Sequence, residues 1–532
     1  MKMRTAENET EVLIVGAGPA GLMMACQLAI QGIRFRIIDK KEKPTTHSGA
    51  LIIQARSIEI FDQMGIAHKF INEGIIANHI NILFNGKQLQ KMSIKNIGSG
   101  VSKFPYLLMV KQAKTEEILT DFIHTREYSI ERGHELLNLY QDSTGVTAEI
   151  KNPDGSMESL KTHYLIAADG GKSSIREQLK IPFIGKSHNK SLFIIDCKTD
   201  IKSPEDIFIL VTNNSISGFF PMSDGKWRID GTIPTALKQK ETLTFDDVEE
   251  HFSERNKMET QLYDPEWFSV FHSHQHHAAI FQKERCFLIG DAAHIQSPVG
   301  AQGMNTGLQD AFNLSWKLAF VLNGKSDHAL LNTFTRERLP VAINTARTTD
   351  YIFNLLTSET IFNKTFRRYL FPFIIKKLSS VIESENMISR YLFKSVSQTG
   401  INYRESLMSR NVSINFFPSQ SLRPGDRLPF ITFNEKDSEI NIQEKVKATA
   451  FHLFIFSVNL PSESQIKKLE EYRNTLTFEI ILQTGLNKNL FRSLGIKKKG
   501  FLLVRPDLYI AFKTNILNFN HLERYLSLFL IN

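Results

Sequence analysis

The stretch VLIVGAGPAGL, residues 12–22, decides how the N-terminal part of this chain folds. Its four apolar residues predict a buried strand, and the glycine-rich turn leads into a helical pattern that runs through Ile30. A second apolar run, Phe35 to Ile38, ends in Asp39. A strand, a glycine turn, a helix and a second strand in this order predict a βαβ unit.

The glycines of this turn indicate a dinucleotide site. Without side chains, the backbone can approach a pyrophosphate, whose charge is met by amides and the dipole at the helix N-terminus. Asp39 lies about 20 residues further on, where its carboxylate can accept hydrogen bonds from ribose hydroxyls. The alternative is a tight structural turn. The predicted residues of this part of the site are Gly16, Gly18, Pro19, Ala20, Gly21, Asp39 and Lys40.

Two later motifs narrow the choice of nucleotide. LIAADGGKSSIR (165–176) and GDAAHIQSPVGAQGMN (290–305) each contain an aspartate that follows a strand-like run. Asp291 can accept from the ribityl hydroxyls of FAD, a group that NAD does not have. The glycines after it permit close backbone approach, and a helix beginning near Met304 would point its amides at the pyrimidine edge of the flavin. The predicted residues here are Gly290, Asp291, Pro298, Gly300, Gly303, Met304 and Asn305.

These three motifs, in this order and spacing, resemble the aromatic hydroxylase group of flavoprotein monooxygenases, which is related to para-hydroxybenzoate hydroxylase. The resemblance is closest to the phenol hydroxylase and chlorophenol monooxygenase branch. It implies that Asp169 and Arg176 lie where FAD and a passing nicotinamide nucleotide meet. It also places Gln112 near the FAD ribose and Arg56 near FAD, against ordinary helix-surface roles for both. No catalytic base can be named.

The resemblance implies a fold class and a reaction. The expected fold is α/β, with a Rossmann-like FAD-binding domain, an inserted β-rich substrate domain, a helical segment and a C-terminal thioredoxin-like domain. NADPH or NADH would reduce a non-covalently bound FAD, and the resulting C4a-hydroperoxide would hydroxylate a small aromatic or phenolic substrate with dioxygen. The single GxGxxG turn fits a nicotinamide nucleotide that visits transiently.

Composition shifts predict the domain limits. The FAD-binding domain takes residues 1–185 and 276–345, and the β-rich substrate domain takes 186–275. A helical segment follows at 346–417, in which the basic amphipathic stretch 366–377 is expected to pack on the core rather than lie on a membrane. Residues 418–532 contain no cysteine, so a thioredoxin-like unit there would serve packing or dimer contact and leaves a homodimer open.

Composition excludes several classes of protein. The chain has 532 residues and a net charge of +8, but its basic residues are dispersed and no nucleic-acid recognition motif accompanies them. No apolar run could span a bilayer, and the N-terminal residues do not resemble a leader, so a cytoplasmic location is expected. Cys26, Cys197 and Cys286 lack metal-ligand spacing and are expected to be buried apolar residues. The histidines at 272–277 favour a surface or flavin-side polar patch over a metal site.

Other functions remain open at this point. One is a flavin oxygenase that performs epoxidation or Baeyer–Villiger oxidation of a polycyclic compound. Another is a flavoprotein that serves as a redox-sensing or binding module without oxygenation. A flavin halogenase is disfavoured because the chain has no WxWxIP segment.

Overall fold

A computed structural model describes most of the chain. The described residues are 9–46, 49–212, 215–233, 237, 240, 242–256, 260–296, 300–357, 360, 363, 365–383, 387–411, 422–435 and 438–531. The elements between residues 9 and 178 are β1 (Glu9–Val15), α1 (Pro19–Gln31), β2 (Phe35–Asp39), β3 (Ile52–Ile53), α2 (Ala55–Gln63), α3 (Ala67–Glu73), β4 (Ile75–Ile76), β5 (His79–Phe84), β6 (Lys87–Ser93), β7 (Leu108–Met109), α4 (Gln112–His124), β8 (Ile130–Arg132), β9 (Glu135–Gln141), β10 (Val146–Lys151), β11 (Met157–Ala167) and α5 (Ser174–Gln178).

The later elements follow in two groups. Those up to residue 322 are β12 (Phe183–Thr199), β13 (Asp206–Val211), β14 (Ile216–Pro221), β15 (Trp227–Thr232), α6 (Phe245–Asn256), β16 (Leu262–Ala278), β17 (Gln282–Lys283), β18 (Cys286–Leu288), β19 (His294–Ile295) and α7 (Gly303–Leu322). The remainder are α8 (Thr333–Thr357), α9 (Phe371–Glu383), α10 (Met387–Val396), β20 (Arg410–Asn411), β21 (Thr432–Glu435), β22 (Ser438–Asn441), β23 (Phe451–Ser457), α11 (Glu463–Glu470), β24 (Leu476–Leu482), α12 (Lys488–Ser493), β25 (Gly500–Val504), β26 (Ile510–Thr514) and α13 (Phe519–Leu526).

The first sheet confirms the predicted βαβ beginning. Its parallel strands lie in the order β18, β11, β1, β2, β8, and the hairpin β9–β10 extends it from β11. Residues 12–15 of β1, 164–167 of β11 and the whole of β18 are apolar and buried, as expected where helices cover the faces of a parallel sheet. Helix α1 packs along α7 over this sheet. The carboxyl ends of β1, β2, β11 and β18 therefore meet at one edge, where ligands bind in folds of this kind.

The second sheet is larger than the sequence predicts. Its order is β19, β16, β12, β15, β14, β13, β5, β6. The hairpin β5–β6 lies outside the predicted limits 186–275 and joins the sheet because β5 pairs in parallel with β13. That pairing joins residues more than 100 positions apart, so local patterning gave no sign of it. One face of this sheet packs against α6 through an apolar cluster.

The C-terminal unit contains a five-stranded sheet in the order β20, β26, β25, β23, β24. Strands β23 and β24 are parallel, whereas β25 is antiparallel to both β23 and β26. The three cysteines are free and buried, as predicted, and none lies in this unit. Within the part of the chain that the structure describes, no helix is long and apolar enough to cross a membrane.

Helix α9 contains most of the basic amphipathic stretch. Its residues Phe371 and Ile375 are buried against strands of the second sheet, which confirms that this stretch packs on the core. Phe373 and Ile374, on the other side of the helix, are exposed.

Candidate functional site

The glycine turn after β1 is shaped by contacts that only glycine allows. Gly16 has φ +106°, and a Cβ there would lie 2.3 Å from the Ala168 carbonyl oxygen. A Cβ on Gly21 would lie 1.9 Å from the Gly16 oxygen. Gly18 is different, since a Cβ there would meet no atom within 4 Å. The turn is therefore tightly packed on the protein side and open at Gly18.

Helix α1 presents free amides next to this opening. Gly18 is its N-cap residue and Pro19 occupies its first turn, and no side chain caps the helix. The first amides of a helix have no partner within it and carry a partial positive charge. The arrangement suits an anionic group placed beside Gly18.

Asp39 lies at the end of β2, close to the same turn. Its Oδ2 accepts from the Ala17 amide at 2.7 Å and its Oδ1 accepts from the Lys41 amide at 2.8 Å. Gln112 begins α4 nearby and donates to Glu116 at 2.8 Å. Burial raises the pKa of Glu116, and its electrostatic neighbours include Asp39. Asp39 and Gln112 thus lie in one polar neighbourhood, whereas the Lys40 side chain is exposed.

The second motif contacts the first and the third. Asp169 Oδ1 is buried without a hydrogen-bond partner, and burial raises the pKa of this carboxyl group. Arg176 donates to the carbonyl oxygens of Gly171 and Ala292, both at 3.0 Å, and its guanidinium stacks 3.7 Å from the Phe183 ring centre. Arg176 therefore ties the second motif to the third, and these contacts assign it an anchoring role.

The third motif begins with a 3-10 turn wedged between α1 and α7. A Cβ on Gly290 would lie 2.9 Å from the Ala20 Cβ, and one on Gly307 would lie 3.1 Å from the Gly290 Cα. The Asp291 side chain that follows is open to solvent, yet protein surrounds it closely enough for desolvation to raise the pKa of its carboxyl group. Such a carboxylate is accessible and poorly hydrated, as in a ligand-binding cleft.

The loop before α7 is held by the side chain of Asn305. Its Oδ1 accepts from the Gln54 amide at 2.9 Å, and its Nδ2 donates to the Ile52 carbonyl at 2.8 Å. Gln54 in turn donates to the Gly300 carbonyl at 3.2 Å. Asn305 therefore positions the loop, and the ligand-facing groups are the uncapped amides at Gly303 and Met304. Pro298 lies outside the described residues.

Several further buried polar atoms of this region have no partner. They are Oε1 of Gln54 and both amide atoms of Gln296, in addition to Oδ1 of Asp169. Buried polar atoms are almost always hydrogen-bonded in folded proteins. These groups can therefore hydrogen-bond to a polar ligand or to water at this site.

Sequence reasoning missed the carboxylate behind the third motif. Asp310 on α7 accepts from the Gly290 amide at 3.1 Å, from His294 at 2.7 Å and from Arg338 at 2.7 Å. Burial alone would raise the pKa of Asp310, but His294 and Arg338 hold it below its ordinary value. An aspartate inside an otherwise apolar helix was the available signal. By accepting from the Gly290 amide, Asp310 fixes the backbone segment that presents Asp291.

The predicted contact of Arg56 with FAD is not supported. Its guanidinium is buried, donates to Glu59 at 3.1 Å and to the Asp507 carbonyl at 2.8 Å, and lies over the rings of Phe312 and Tyr509. These partners belong to the interface with the C-terminal unit. The match of residues 54–61 to a motif could not reveal them, because Asp507 lies 451 positions away.

Two histidines of the run contact other protein groups, and the side chains at 272 and 274 lie outside the described residues. His276 stacks on Phe183 and His277 contacts the Ala278 carbonyl. No group of three or more His, Cys, Asp or Glu side chains within the described ranges is arranged to hold a metal ion.

Sequence comparison finds known proteins that are similar to this chain over the region that contains the three motifs. A sequence model of an FAD binding domain matches residues 9–349. The 6-methylpretetramide 4-monooxygenase of Streptomyces rimosus is 34% identical over 340 residues, which cover 62% of this chain and 59% of the relative. That match thus spans less than two thirds of the relative's length. The rifampicin monooxygenase of Streptomyces venezuelae is 30% identical over 400 residues, which cover 74% of this chain and 79% of the relative.

The likeness in fold covers nearly the whole chain. The structure of OxyS anhydrotetracycline hydroxylase from Streptomyces rimosus aligns with a TM-score of 0.75 and 25% identity, covering 98% of this chain and 99% of that one. The mixed α/β fold is therefore that of known FAD-binding hydroxylases.

Proposed function

Because the chain belongs to the FAD binding domain family, we propose that it is a monooxygenase that uses NAD(P)H and dioxygen to hydroxylate an aromatic substrate. The resemblance to FAD-dependent aromatic hydroxylases is confirmed, and FAD is the cofactor of the family. The observation that carries the proposal is the convergence of three motifs at one edge of the first sheet, linked by the contacts of Gly16, Gly290 and Arg176.

The residues present fit FAD. Open space at Gly18 and uncapped amides at the start of α1 suit a pyrophosphate, and the unpartnered oxygen of Asp169 suits a hydroxyl-rich ligand. A second uncapped helix start at α7 suits the edge of a ring that gains negative charge on reduction. NAD would leave Asp291 and this second helix start without a ligand group.

Each part of the site then has a separate task. Gly18 admits the pyrophosphate, Gly16 and Gly21 let the turn pack tightly beside it, and Asp39 and Gln112 bind the ribose side. Asp291 accepts from the ribityl hydroxyls, and Gly300, Gly303 and Met304 lay backbone against the ring. Asp169 lies where the nicotinamide nucleotide visits.

FAD, when bound, supplies the redox chemistry that activates dioxygen. The protein has to hold the substrate against the ring, exclude water and balance charge. Asp310 and Asn305 contribute by fixing the two backbone segments on which the ring-side groups stand.

The division into an FAD-binding domain, a substrate domain, a helical segment and a thioredoxin-like unit is part of the proposal. The mixed sheet of β23 to β26 with α11, α12 and α13 supports the last assignment. Its packing role is supported by the buried ion pair of Arg505 with Glu337 on α8 and by the hydrogen bond that Asn313 on α7 donates to Asp507. We place the protein in the cytoplasm, where NAD(P)H is supplied.

The proposal is tested on the purified full chain. The flavin released on denaturation is identified by mass, and phenols and polycyclic aromatic compounds are screened for accelerated NAD(P)H oxidation with a product heavier by one oxygen atom. Hydroxylated product with tightly bound FAD is expected. Reduction of the flavin without any oxygenated product would contradict monooxygenase activity. Ring expansion or an epoxide as product would instead favour the alternative oxygenase chemistry. Polycyclic compounds are included in the screen because the relatives are named for 6-methylpretetramide and rifampicin.

A further inference from the structure

One face of the second sheet packs against α6, and the other packs in part against α9 and in part against the chain segment that leads to the cofactor site. Side chains alternate along a strand, so neighbours in sequence point to opposite faces. Ile195, Phe219 and Ile229 lie in the apolar cluster against α6. The opposite face therefore carries, on the central strands, Ile194, Asp196, Gly218, Phe220, Arg228 and Asp230.

Contacts with the FAD-binding part fix the direction of this second face. Arg228 donates to the Ala50 carbonyl at 3.3 Å, and Phe220 packs beside Leu51. The chain then runs from Ala50 through β3 to Gln54, which donates to the Gly300 carbonyl. Four extended residues span roughly 13 Å. The contact of Ala50 with this sheet face and the contact of Gln54 with the ring-side loop are therefore at most about that distance apart.

The charges on this face do not cancel. Arg228 binds Asp196 through two short bonds, of 2.8 Å and 2.7 Å, and both side chains are buried. Asp230 lies two residues beyond Arg228, and no described side chain donates a hydrogen bond to it. The amide of Gly218 on the neighbouring strand is the group of β14 that faces it. The pair is neutral, so the face keeps one negative charge at Asp230.

The Asp230 side chain is partly buried and keeps some exposure to solvent. Gly218 lies directly opposite, and a Cβ there would come within 2.8 Å of Asp230 Oδ1 and 2.6 Å of the Phe220 ring. The absence of a side chain at Gly218 therefore lets the Asp230 carboxyl group and the Phe220 ring lie side by side over this strand. Burial raises the pKa of Asp230 to about 6, against the opposing effect of Arg228. A carboxyl group with a raised pKa that accepts from backbone amides and has no ion-pair partner of its own is a candidate functional group.

We infer that Asp230 is the base that accepts the proton of an aromatic hydroxyl group, and that this face selects neutral hydroxyarenes over aryl carboxylates. The inference rests on the proposed function. The substrate O–H bond breaks and an O–H bond forms on the carboxylate, while the electron pair stays on the substrate oxygen. That pair is delocalised into the ring and makes its ortho and para carbons more nucleophilic. An aryl carboxylate would meet the uncompensated charge of Asp230 instead.

The binding experiment uses 4-nitrophenol, 4-nitroanisole and 4-nitrobenzoate as probes of the FAD-loaded full chain. At a pH slightly above 6, where Asp230 is ionised and 4-nitrophenol is still mostly neutral, the unaltered chain should bind the phenol at least about tenfold more tightly than the other two, since only the phenol donates a hydrogen bond to the carboxylate. Asp230→Asn should lose most of this preference and gain affinity for 4-nitrobenzoate. A merely structural role for Asp230 predicts no such gain. Preference of the unaltered chain for the carboxylate would overturn the inference.

The turnover experiment compares Asp230→Asn and Asp230→Glu with Asp264→Asn, a control on an exposed aspartate of the same sheet. Hydroxylation by the unaltered chain should rise with pH through about 6, where Asp230 ionises. Asp230→Asn should lower kcat at least about a hundredfold and abolish this inflection, because general bases contribute 10²–10⁴-fold. Asp230→Glu should retain the inflection, and the control should behave as the unaltered chain.

Different results would overturn the role of Asp230 and the proposed monooxygenase activity. An Asp230→Asn variant with unchanged kcat and pH profile would overturn the role of Asp230 while leaving the proposed monooxygenase in place. A chain that binds FAD but makes no oxygenated product from any arene would overturn the proposed function. In that event the probe affinities still decide whether Asp230 binds hydroxyarenes.

Discussion

Two regions of this molecule bury polar groups, and they do so in opposite ways. At the interface with the C-terminal unit, the Glu337 carboxylate is fully buried and accepts from Arg505, Lys317, Asn313 and Ser406. At the cofactor site, Asp169 Oδ1 and the atoms of Gln296 have no partner. A carboxylate that is paired on all sides stabilises the fold by itself, whereas an unpaired one can accept hydrogen bonds from a ligand. Unpartnered atoms of Arg56, Trp316 and Tyr509 lie at the interface too, so a missing partner suggests a ligand only where other observations point to one.

The largest expected effect lies in the network around Glu337. Glu337→Gln leaves Lys317 and Arg505 buried without their shared carboxylate, and breaking a buried pair typically costs about 3–5 kcal/mol. We expect a loss of that size in the free energy of unfolding, measured by urea titration. The matched control is Glu117→Gln, an exposed carboxylate paired with Lys114, for which we expect about 0.5 kcal/mol or less. Equal effects of the two variants would contradict the structural role of the network.

The next effect concerns the cofactor. Asp291→Ala removes an acceptor for the ribityl hydroxyls, and a hydrogen bond to a charged group contributes about 1.5–3 kcal/mol. The dissociation constant of FAD, followed by flavin fluorescence, should therefore rise about tenfold or more, with little change in the stability of the FAD-free chain. Unchanged FAD affinity would show that Asp291 does not face the ligand.

The glycine turn gives a sharper contrast within a few residues. Gly18→Ala adds a methyl group where no protein atom lies within 4 Å, so the FAD-free chain should fold normally and bind FAD about tenfold more weakly. Gly21→Ala places the same group 1.9 Å from the Gly16 oxygen and should destabilise the fold itself. Gly485→Ala, at another open position, is the control for both. Normal FAD binding by Gly18→Ala would place the pyrophosphate elsewhere.

The smallest expected effect concerns how stability changes with pH, because Glu337 and Asp291 should contribute with opposite signs. The pKa of Glu337 is lowered by Arg505 and Lys317 despite its burial, so its contribution to stability is present above about pH 4 and is lost below it. The pKa of Asp291 is raised by desolvation, so its ionised form opposes folding at neutral pH. Asp291→Asn should then stabilise the FAD-free chain at pH 7 by about 0.5 kcal/mol or less, and the gain should vanish near pH 4. A gain that grows on acidification would contradict the cleft environment of Asp291.

Local patterning predicted the parts of the site that lie on single elements. Val12–Val15, the glycine turn and Asp39 follow from an apolar run, a helix start and a strand end, and the structure has β1, α1 and β2 at those places. The helix after Gly303 was predicted in the same way, because its apolar spacing is regular over α7. These signals are short in range, which is why a sequence alone contains them.

The rest depends on partners that are distant in sequence. Arg56 looked like a cofactor ligand because its neighbours match a motif, but Glu59 and the Asp507 carbonyl bind it. Asp310 is paired with Arg338, which lies 28 positions further along the chain. The β5–β6 hairpin joins the second sheet only through β13. Asp230 becomes informative once the structure shows that Asp196 neutralises Arg228. None of these pairings leaves a periodic trace in the sequence.

The most direct test of the account is a crystal structure of the full chain with FAD. We expect a single FAD molecule with its adenosine ribose against Asp39 and its pyrophosphate against Gly18. Its ribityl chain should lie within hydrogen-bond distance of Asp291. An FAD bound away from either carboxylate, or bound with its ring distant from the start of α7, would contradict the account.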